Sequence, residues 1–129
     1  MKNFIKYLPI TIVLCVLVGL IIFNANSSKV DLGDNQIYFF TKKHCPYCEV
    51  ATEYIKIAYP RLEIRYLDIH EKKNYNLLVS AAEKYNLDTG RVGTPFICMG
   101  NNYLLGWSIE QQGKFDNYVR PFLKQQKVR

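Results

Sequence analysis

The chain has 129 residues, 49% of them hydrophobic, and its seventeen lysines and arginines outnumber eleven acids to give a net charge of +6. A chain this short excludes a multidomain enzyme, and so apolar a composition excludes a disordered polyelectrolyte. The first 29 residues hold three bases and no acid, so the other 100 residues hold fourteen bases against eleven acids, or +3. The bases show no spacing typical of a nucleic-acid-binding module, so we expect no nucleic-acid partner.

The first apolar segment, Tyr7–Phe23, is seventeen residues without a charge and follows Lys2 and Lys6. As a helix it would be about 26 Å long, slightly short of the ~30 Å hydrocarbon core of a bilayer. Residues 1–23 are therefore predicted to be a signal anchor or transmembrane segment. The alternative is a cleaved secretory signal, with a small-x-small site at Ala25-Asn26-Ser27. In both cases the two lysines stay in the cytoplasm, so the rest of the chain lies on the non-cytoplasmic side, in a periplasm or other extracytoplasmic space.

Residues 24–35 show no apolar period and are predicted to be a linker. If the first segment is retained, this short linker holds the following domain near the membrane surface. The folded domain is predicted to span residues 36–126, and residues 127–129 are predicted to be a basic tail.

Within the domain, strand and helix patterns alternate. Gln36–Phe40 is a β-rich apolar run, and apolar residues then recur at helical spacing from Val50 until Pro60. Leu62–Tyr66 alternates apolar and charged residues as a strand does, and helical spacing returns from Leu77 to Tyr85. This first half of the domain is predicted to be strand, helix, strand, helix.

The second half is predicted to be a hairpin followed by a helix. Pro95–Met99 and Tyr103–Leu105 are strand patterns joined by a glycine-asparagine turn. Ser108 with Gln111 three positions later is a capping-box pattern that opens a helix. The apolar face of that helix is predicted to be Phe115, Tyr118, Val119, Phe122 and Leu123.

Cys45 and Cys48 lie between the first strand and the first helix of the domain, which places Cys45 at a helix N-terminus. Free N–H groups and the positive end of the helix dipole stabilise a thiolate there, and the thiolate is the nucleophile in disulfide exchange. Pro46 suits the first helical position because its missing N–H has no partner to lose. Cys48 then lies one turn away, where it can attack a mixed disulfide on Cys45.

Two other interpretations of this pair stay open. A C-x-x-C pair can supply two zinc ligands, but a closed zinc site needs four, and the remaining candidates are His44, His70 and the distant Cys98. The pair can also be an ordinary structural disulfide or two buried thiols. The strand-to-helix position favours redox chemistry over both, and we expect no metal site.

The segment Phe40-Thr-Lys-Lys-His-Cys-Pro-Tyr-Cys48, followed by Val92-Gly-Thr-Pro95, is similar to the thioredoxin superfamily, and its C-P-Y-C tetrad resembles that of glutaredoxins. The resemblance covers Gln36 to about Gln126. It implies an α/β, thioredoxin-like fold with a four-stranded mixed sheet in the order βαβα-ββα, flanked by helices and here preceded by one N-terminal helix. It also implies that Cys45 attacks, that Cys48 resolves and that Pro95 is a cis proline facing the dithiol.

The same resemblance assigns residues around the dithiol. Thr94 would offer backbone groups to a bound peptide or to glutathione, and Lys42 stands where glutaredoxins keep a base that meets a glutathione carboxylate. Trp107 replaces a second glycine at the glutathione site, so it is predicted either to line a peptide-binding surface or to pack under the last helix. Glu110 takes the acidic position near it. His44, as an imidazolium, would lower the pKa of Cys45 further, with Pro46 and Tyr47 completing the site.

These residues predict an exported, membrane-tethered thiol–disulfide oxidoreductase that needs no cofactor. Its predicted partners are exported cysteine-containing proteins and a membrane-resident or exported redox partner that resets the dithiol. One alternative is a glutathione-linked, glutaredoxin-type disulfide reductase with glutathione as co-substrate. A second alternative is a non-catalytic, thioredoxin-like module that binds client proteins or a metal.

Overall fold

The structure is a computed structural model that describes the backbone of residues 2–24 and 31–127, with the side chains of these residues except 2, 4 and 22–24. The predicted cleavage site at Ala25-Asn26-Ser27, half of the predicted linker (residues 25–30) and the last two residues of the predicted tail lie outside the described residues. Helix α1, Lys2–Asn24, contains Pro9. Among the described residues, no helix is both long enough and apolar enough to cross a membrane. The predicted transmembrane segment therefore stays a prediction.

A four-stranded mixed sheet forms the centre of the domain. Its strands are β1 (Ile37–Thr41), β2 (Ile64–Asp68), β3 (Phe96–Met99) and β4 (Asn102–Leu105), in the order β2-β1-β3-β4. The pair β1–β2 is parallel, whereas β1–β3 and β3–β4 are antiparallel. Strand β2 starts two residues later than predicted. Leu62, the first residue of the predicted strand, lies in the preceding loop and packs against the core from there.

Four helices cover the two faces of this sheet: α2 (Pro46–Ala58), α3 (Lys72–Lys84), α4 (Ile109–Tyr118) and α5 (Arg120–Lys127). Side chains alternate between faces along β1, so Ile37 and Phe39 pack with α2, α4 and α5, while Tyr38 and Phe40 pack with α3. This layered sheet, with a parallel pair joined through α2 and an antiparallel hairpin, is the predicted α/β thioredoxin-like fold.

The last helix of the domain differs from the prediction of one continuous helix. It is divided at Val119 into α4 and α5. Pro121 explains the division, since proline has no N–H to donate into the helical ladder and its fixed φ suits the first turn of a new helix. Val119 and Phe122 still reach the core, whereas Leu123, at the edge, is 36% exposed.

The packed domain also begins earlier than the predicted boundary at residue 36. Leu32, inside the predicted linker, is 5% exposed and joins the core on the α3 side of the sheet. The Gly33 N–H donates to the Tyr38 hydroxyl at 3.0 Å, and Lys84 Nζ contacts Asp34 Oδ1 at 2.6 Å. Residues 31–35 are therefore part of the domain.

Candidate functional site

Helix α2 begins at the cysteine pair, as its sequence predicts. Cys45 is the N-cap residue with an extended backbone, and its Sγ accepts a hydrogen bond from the Cys48 N–H at 3.2 Å. Pro46 occupies the first turn. Cys45 and Cys48 form a disulfide across a Cα–Cα distance of 5.2 Å. The helix N-terminus therefore directs an N–H group and the positive end of its dipole at Cys45 Sγ, which favours the thiolate form of this cysteine.

The loop before β3 lies against the same sulfur. The Thr94–Pro95 peptide bond is cis. The Thr94 hydroxyl donates to Cys45 Sγ at 3.5 Å, and the Pro95 carbonyl accepts a hydrogen bond from the Gly106 N–H at 2.8 Å. The structure thus brings together Cys45, Cys48, Thr94 and Pro95, which are far apart in sequence, at one end of the sheet.

The turn between β1 and α2 presents two of the predicted supporting residues to solvent. His44 is exposed and has a φ of 57°, in the left-handed region that histidine tolerates better than most residues. Tyr47 is 64% exposed. The predicted effect of His44 on the Cys45 thiol and the predicted supporting role of Tyr47 both stay predictions.

Trp107 does not line an exposed surface. It is 8% exposed, and its ring centroid lies 5.7 Å from that of Tyr54 and 6.0 Å from that of Phe115. It belongs to the same buried cluster as Cys45 and Cys48. Of the two predicted positions for Trp107, the structure has the one under the last helices. A ring this large is most stable when it is removed from water. Trp107 therefore packs inside the cluster that supports the dithiol.

Glu110 is engaged elsewhere in the structure. Lys114 Nζ donates to Glu110 Oε1 at 2.7 Å, one turn along α4. This hydrogen bond lowers the pKa of the Glu110 carboxyl. The acidic group expected near the glutathione site is thus ionised and paired with a lysine of its own helix.

A groove of about 490 Å³ opens beside the dithiol along the outer side of α2, and we call it the α2 groove. It contains the predicted residue Lys42 together with both cysteines. Three further charged residues that the sequence motifs do not single out, Glu49, Glu53 and Lys56, also line it. The full lining is Thr41, Lys42, Cys45, Cys48, Glu49, Thr52, Glu53, Lys56 and Ile57. The lining residues that belong to α2 follow Cys45 at intervals of three and four positions, which is the spacing of one helix face and could have been used to find them in the sequence.

A second unpredicted feature connects α2 with α4. Asp116 accepts hydrogen bonds from the Tyr54 hydroxyl at 2.8 and 2.9 Å and from the Tyr59 hydroxyl at 2.7 Å. Burial and the Asp116 carboxylate raise the pKa of both tyrosines above the usual value. Tyr54 also packs on Trp107, which shares a buried cluster with the dithiol, so these hydrogen bonds hold α2 and α4 together behind the site.

The two remaining cysteines are separate from the site. Cys15 is exposed on α1, and Cys98 in β3 is 1% exposed. Burial raises the pKa of the Cys98 thiol to about 12. Cys98 therefore has the environment of a small apolar core residue. Across the described part of the chain, no three metal-ligating side chains cluster together.

Comparison with known proteins finds weak structural similarity. No protein-family model matches the chain, and no curated protein matches it. A mutant of the thioredoxin-like protein BC3987 is 19% identical with a TM-score of 0.48, over 61% of this chain and 96% of that one. The buckwheat glutaredoxin–glutathione complex is 15% identical with a TM-score of 0.48, over 70% of this chain and 78% of that one.

A third similar structure is the holo form of glutaredoxin C1 from Populus tremula x tremuloides. It is 17% identical with a TM-score of 0.49, over 72% of this chain and 79% of that one. Similarities at this level are too weak to carry residue roles from one protein to another. The thioredoxin-like fold of this chain follows from its own strand order, and its redox-type cysteine pair follows from the disulfide at the start of α2.

Proposed function

Because the chain combines a thioredoxin-like fold with a redox-type cysteine pair, we propose that it is a thiol–disulfide oxidoreductase acting on protein substrates. The observation that carries this proposal is the position of the Cys45–Cys48 disulfide. It caps α2, receives a backbone N–H and faces Thr94 beside a cis proline. A purely structural disulfide gains nothing from a helix N-terminus, whereas a nucleophilic thiolate does.

In the reducing direction, the Cys45 thiolate attacks one sulfur of a client disulfide. The client S–S bond breaks, its second sulfur leaves as a thiolate and takes a proton, and Cys45 is left in a mixed disulfide. The Cys48 thiolate then attacks Cys45 Sγ and releases the client's first thiol. Two electrons have passed to the client, and Cys45–Cys48 is a disulfide. The oxidising direction is the reverse sequence, and either direction needs a second dithiol or disulfide protein to reset the pair.

Lys42 favours glutathione as a second candidate substrate. Lys42 lines the α2 groove together with both cysteines, so its side chain can meet a carboxylate of a bound tripeptide. The burial of Trp107 also removes the bulky indole that would otherwise oppose close approach of this ligand. A glutaredoxin-type reductase is therefore the alternative activity.

A redox titration tests the proposed activity. Trp107 is the single tryptophan and packs in the same cluster as the disulfide, so its fluorescence is expected to differ between the oxidised and reduced proteins. Equilibration with dithiol or glutathione buffers should give one two-electron transition. A potential near that of thioredoxin, about −270 mV, would contradict an oxidant, and a saturable rate with glutathione would favour the alternative. An unreactive disulfide would leave only a structural role or the non-catalytic module.

We also propose that the domain is exported and held at a membrane by its first segment. Support comes from the charge-free run Tyr7–Phe23 after two lysines, and from the exposed apolar side chains around α1. In water such a helix would leave a large apolar surface uncovered. The clients would then be exported cysteine-containing proteins, and the resetting partner would be a membrane-resident or exported protein.

Val16→Asp tests the membrane anchor. A carboxylate near the middle of a spanning helix costs about 2.5–3.5 kcal/mol, so the variant should lose membrane association that the original chain retains after alkaline extraction. Val16→Leu is the matched control and should stay in the membrane fraction. Equal extraction of all three proteins would contradict a spanning anchor, and an N-terminus beginning after residue 25 would indicate the cleaved form.

A further inference from the structure

Three exposed apolar side chains lie at the dithiol end of the domain. Tyr47 and Val50 on α2 are 64% and 56% exposed, and Ile109 at the start of α4 is 89% exposed. Within residues 31–127, the only other large apolar side chain that is more than half exposed is Ile57, at the far end of α2. We call Tyr47, Val50 and Ile109 the apolar rim.

Helices α2 and α4 run in the same direction from the dithiol end. Helix α2 begins at Cys45, and α4 follows a loop whose Gly106 N–H donates to the Pro95 carbonyl beside the dithiol. Further along, the Tyr54 hydroxyl of α2 donates to the Asp116 carboxylate of α4 at 2.8 Å. The first turns of the two helices therefore lie next to each other, on the two sides of one cleft.

The apolar rim lies on the facing sides of these two helices. Tyr47 and Val50 precede Tyr54 on α2 by seven and four positions, and Ile109 precedes Asp116 on α4 by seven. These are the spacings of residues on one helix face. Since Tyr54 and Asp116 join the two helices, the rim side chains open onto the same cleft, closer to the dithiol.

Helix stability does not explain the apolar rim. Val50 and Ile109 are β-branched, which lowers helix propensity, and side chains this exposed gain little from burial within the domain. The acid in the first turn of α4, Glu110, is already paired with Lys114 at 2.7 Å. Neighbouring apolar groups that the domain itself leaves in water are typical of a surface that a partner covers.

The proposed exchange chemistry identifies the partner that covers the rim. A client in a mixed disulfide with Cys45 is held at the start of α2 by a single S–S bond, so its neighbouring residues lie against the first turns of the helices. Val50 is about 7.5 Å from Cys45 along α2, at roughly 1.5 Å per residue. An extended client covers this distance in about two to three residues, at about 3.3 Å each.

We propose that the apolar rim selects client segments that carry a large apolar side chain about two to three residues from the reacting cysteine. This inference rests on the proposed function and adds the substrate class of the same site. The client side chain enters the cleft between Val50 and Ile109, and all three apolar groups are removed from water. Glutathione has no large apolar side chain, so the rim favours protein clients over it.

Exchange with two synthetic peptides tests the proposal. Each peptide carries one cysteine in a disulfide with 2-mercaptoethanol, and the two differ only in having leucine or asparagine two and three positions from the cysteine on both sides. Asparagine is similar in size to leucine but polar. We expect the reduced full-length protein to react about tenfold faster, as a second-order rate constant, with the leucine peptide, because partial burial of an apolar side chain adds to binding.

Salt dependence distinguishes apolar contact from charge. The preference for the leucine peptide should persist at high salt, which screens exposed ion pairs but leaves apolar burial intact. A preference that disappears at high salt would contradict the proposal.

The double variant Val50→Thr, Ile109→Thr should bring the ratio of the two rate constants close to one. The ratio is specific to client binding, since damage to the dithiol would slow both peptides alike. Ile57→Thr is the matched control, because Ile57 is an exposed β-branched residue on the same helix, twelve positions from Cys45. It should keep the ratio of the original protein.

Three results would overturn the proposal: equal rates with both peptides in the original protein, a preference that survives in the double variant, or an equal loss of preference in Ile57→Thr. Failure of the protein to exchange either peptide would instead overturn the proposed function, and this inference with it.

Discussion

Cys48→Ser is expected to turn the protein from a turnover catalyst into a trap for its clients. Serine cannot attack the mixed disulfide on Cys45, so the covalent intermediate should accumulate while steady-state exchange falls to the uncatalysed background. The structure supports this division of roles, because Cys45 receives the helix N–H and Thr94 hydroxyl whereas Cys48 lies one turn inside α2. Non-reducing electrophoresis followed by mass spectrometry would identify the trapped client and the cysteine that holds it.

Two controls make this result specific. Cys45→Ser should form no mixed disulfide and show no exchange above background. Cys98→Ser should trap nothing, because it keeps Cys48 to resolve the mixed disulfide and Cys98 itself is buried away from the pair. If clients instead accumulate on Cys48 in the Cys45→Ser protein, the attacking and resolving roles are reversed. Non-covalent client binding that is unchanged by either substitution would favour the non-catalytic module.

Asp116→Ala is expected to destabilise the domain by about 2–4 kcal/mol. The substitution removes the shared acceptor of two tyrosine hydroxyls. Each hydroxyl left without a partner costs about 1–2 kcal/mol, the lower part of the usual range, because both are only partly buried and water can reach them. Urea denaturation of the oxidised protein measures the loss as a lower transition midpoint at constant slope.

Smaller changes in the same cluster separate its contributions. Tyr59→Phe removes one hydrogen bond and leaves Asp116 bonded to Tyr54, so we expect a loss of about 1 kcal/mol. Asp116→Asn keeps an acceptor oxygen and should fall between the two. A loss in Asp116→Ala no greater than that in Tyr59→Phe would show that the carboxylate does not hold both hydroxyls in solution.

Local patterns in the sequence are sufficient for much of the fold. Alternation, turn residues and helical spacing locate all four strands and the helices of the domain, except that the last predicted helix is divided at Val119. The dithiol is equally visible, since a C-x-x-C pair between strand and helix is a short-range signal. The cis Thr94–Pro95 bond agrees with the expectation from the family resemblance.

Features that depend on packing between distant segments are not visible in the sequence. The Tyr54–Asp116 bond joins residues 62 positions apart, and no periodicity records it. Trp107 is ambiguous because an indole suits both an interior and a binding surface, and only its contacts with Tyr54 and Phe115 decide between them. Leu32 falls within the predicted linker because a single apolar residue among polar neighbours has no period.

Cys98 is buried too deeply to exchange disulfides with the pair at Cys45 and Cys48. A protein that repeatedly forms mixed disulfides is at risk of internal exchange, in which a third thiol captures the bond and ends the catalytic cycle. Burial in β3 keeps Cys98 out of reach and raises its pKa, so at neutral pH it stays a protonated thiol and a poor nucleophile. The sheet thus keeps Cys98 from taking the disulfide away from the pair at the start of α2.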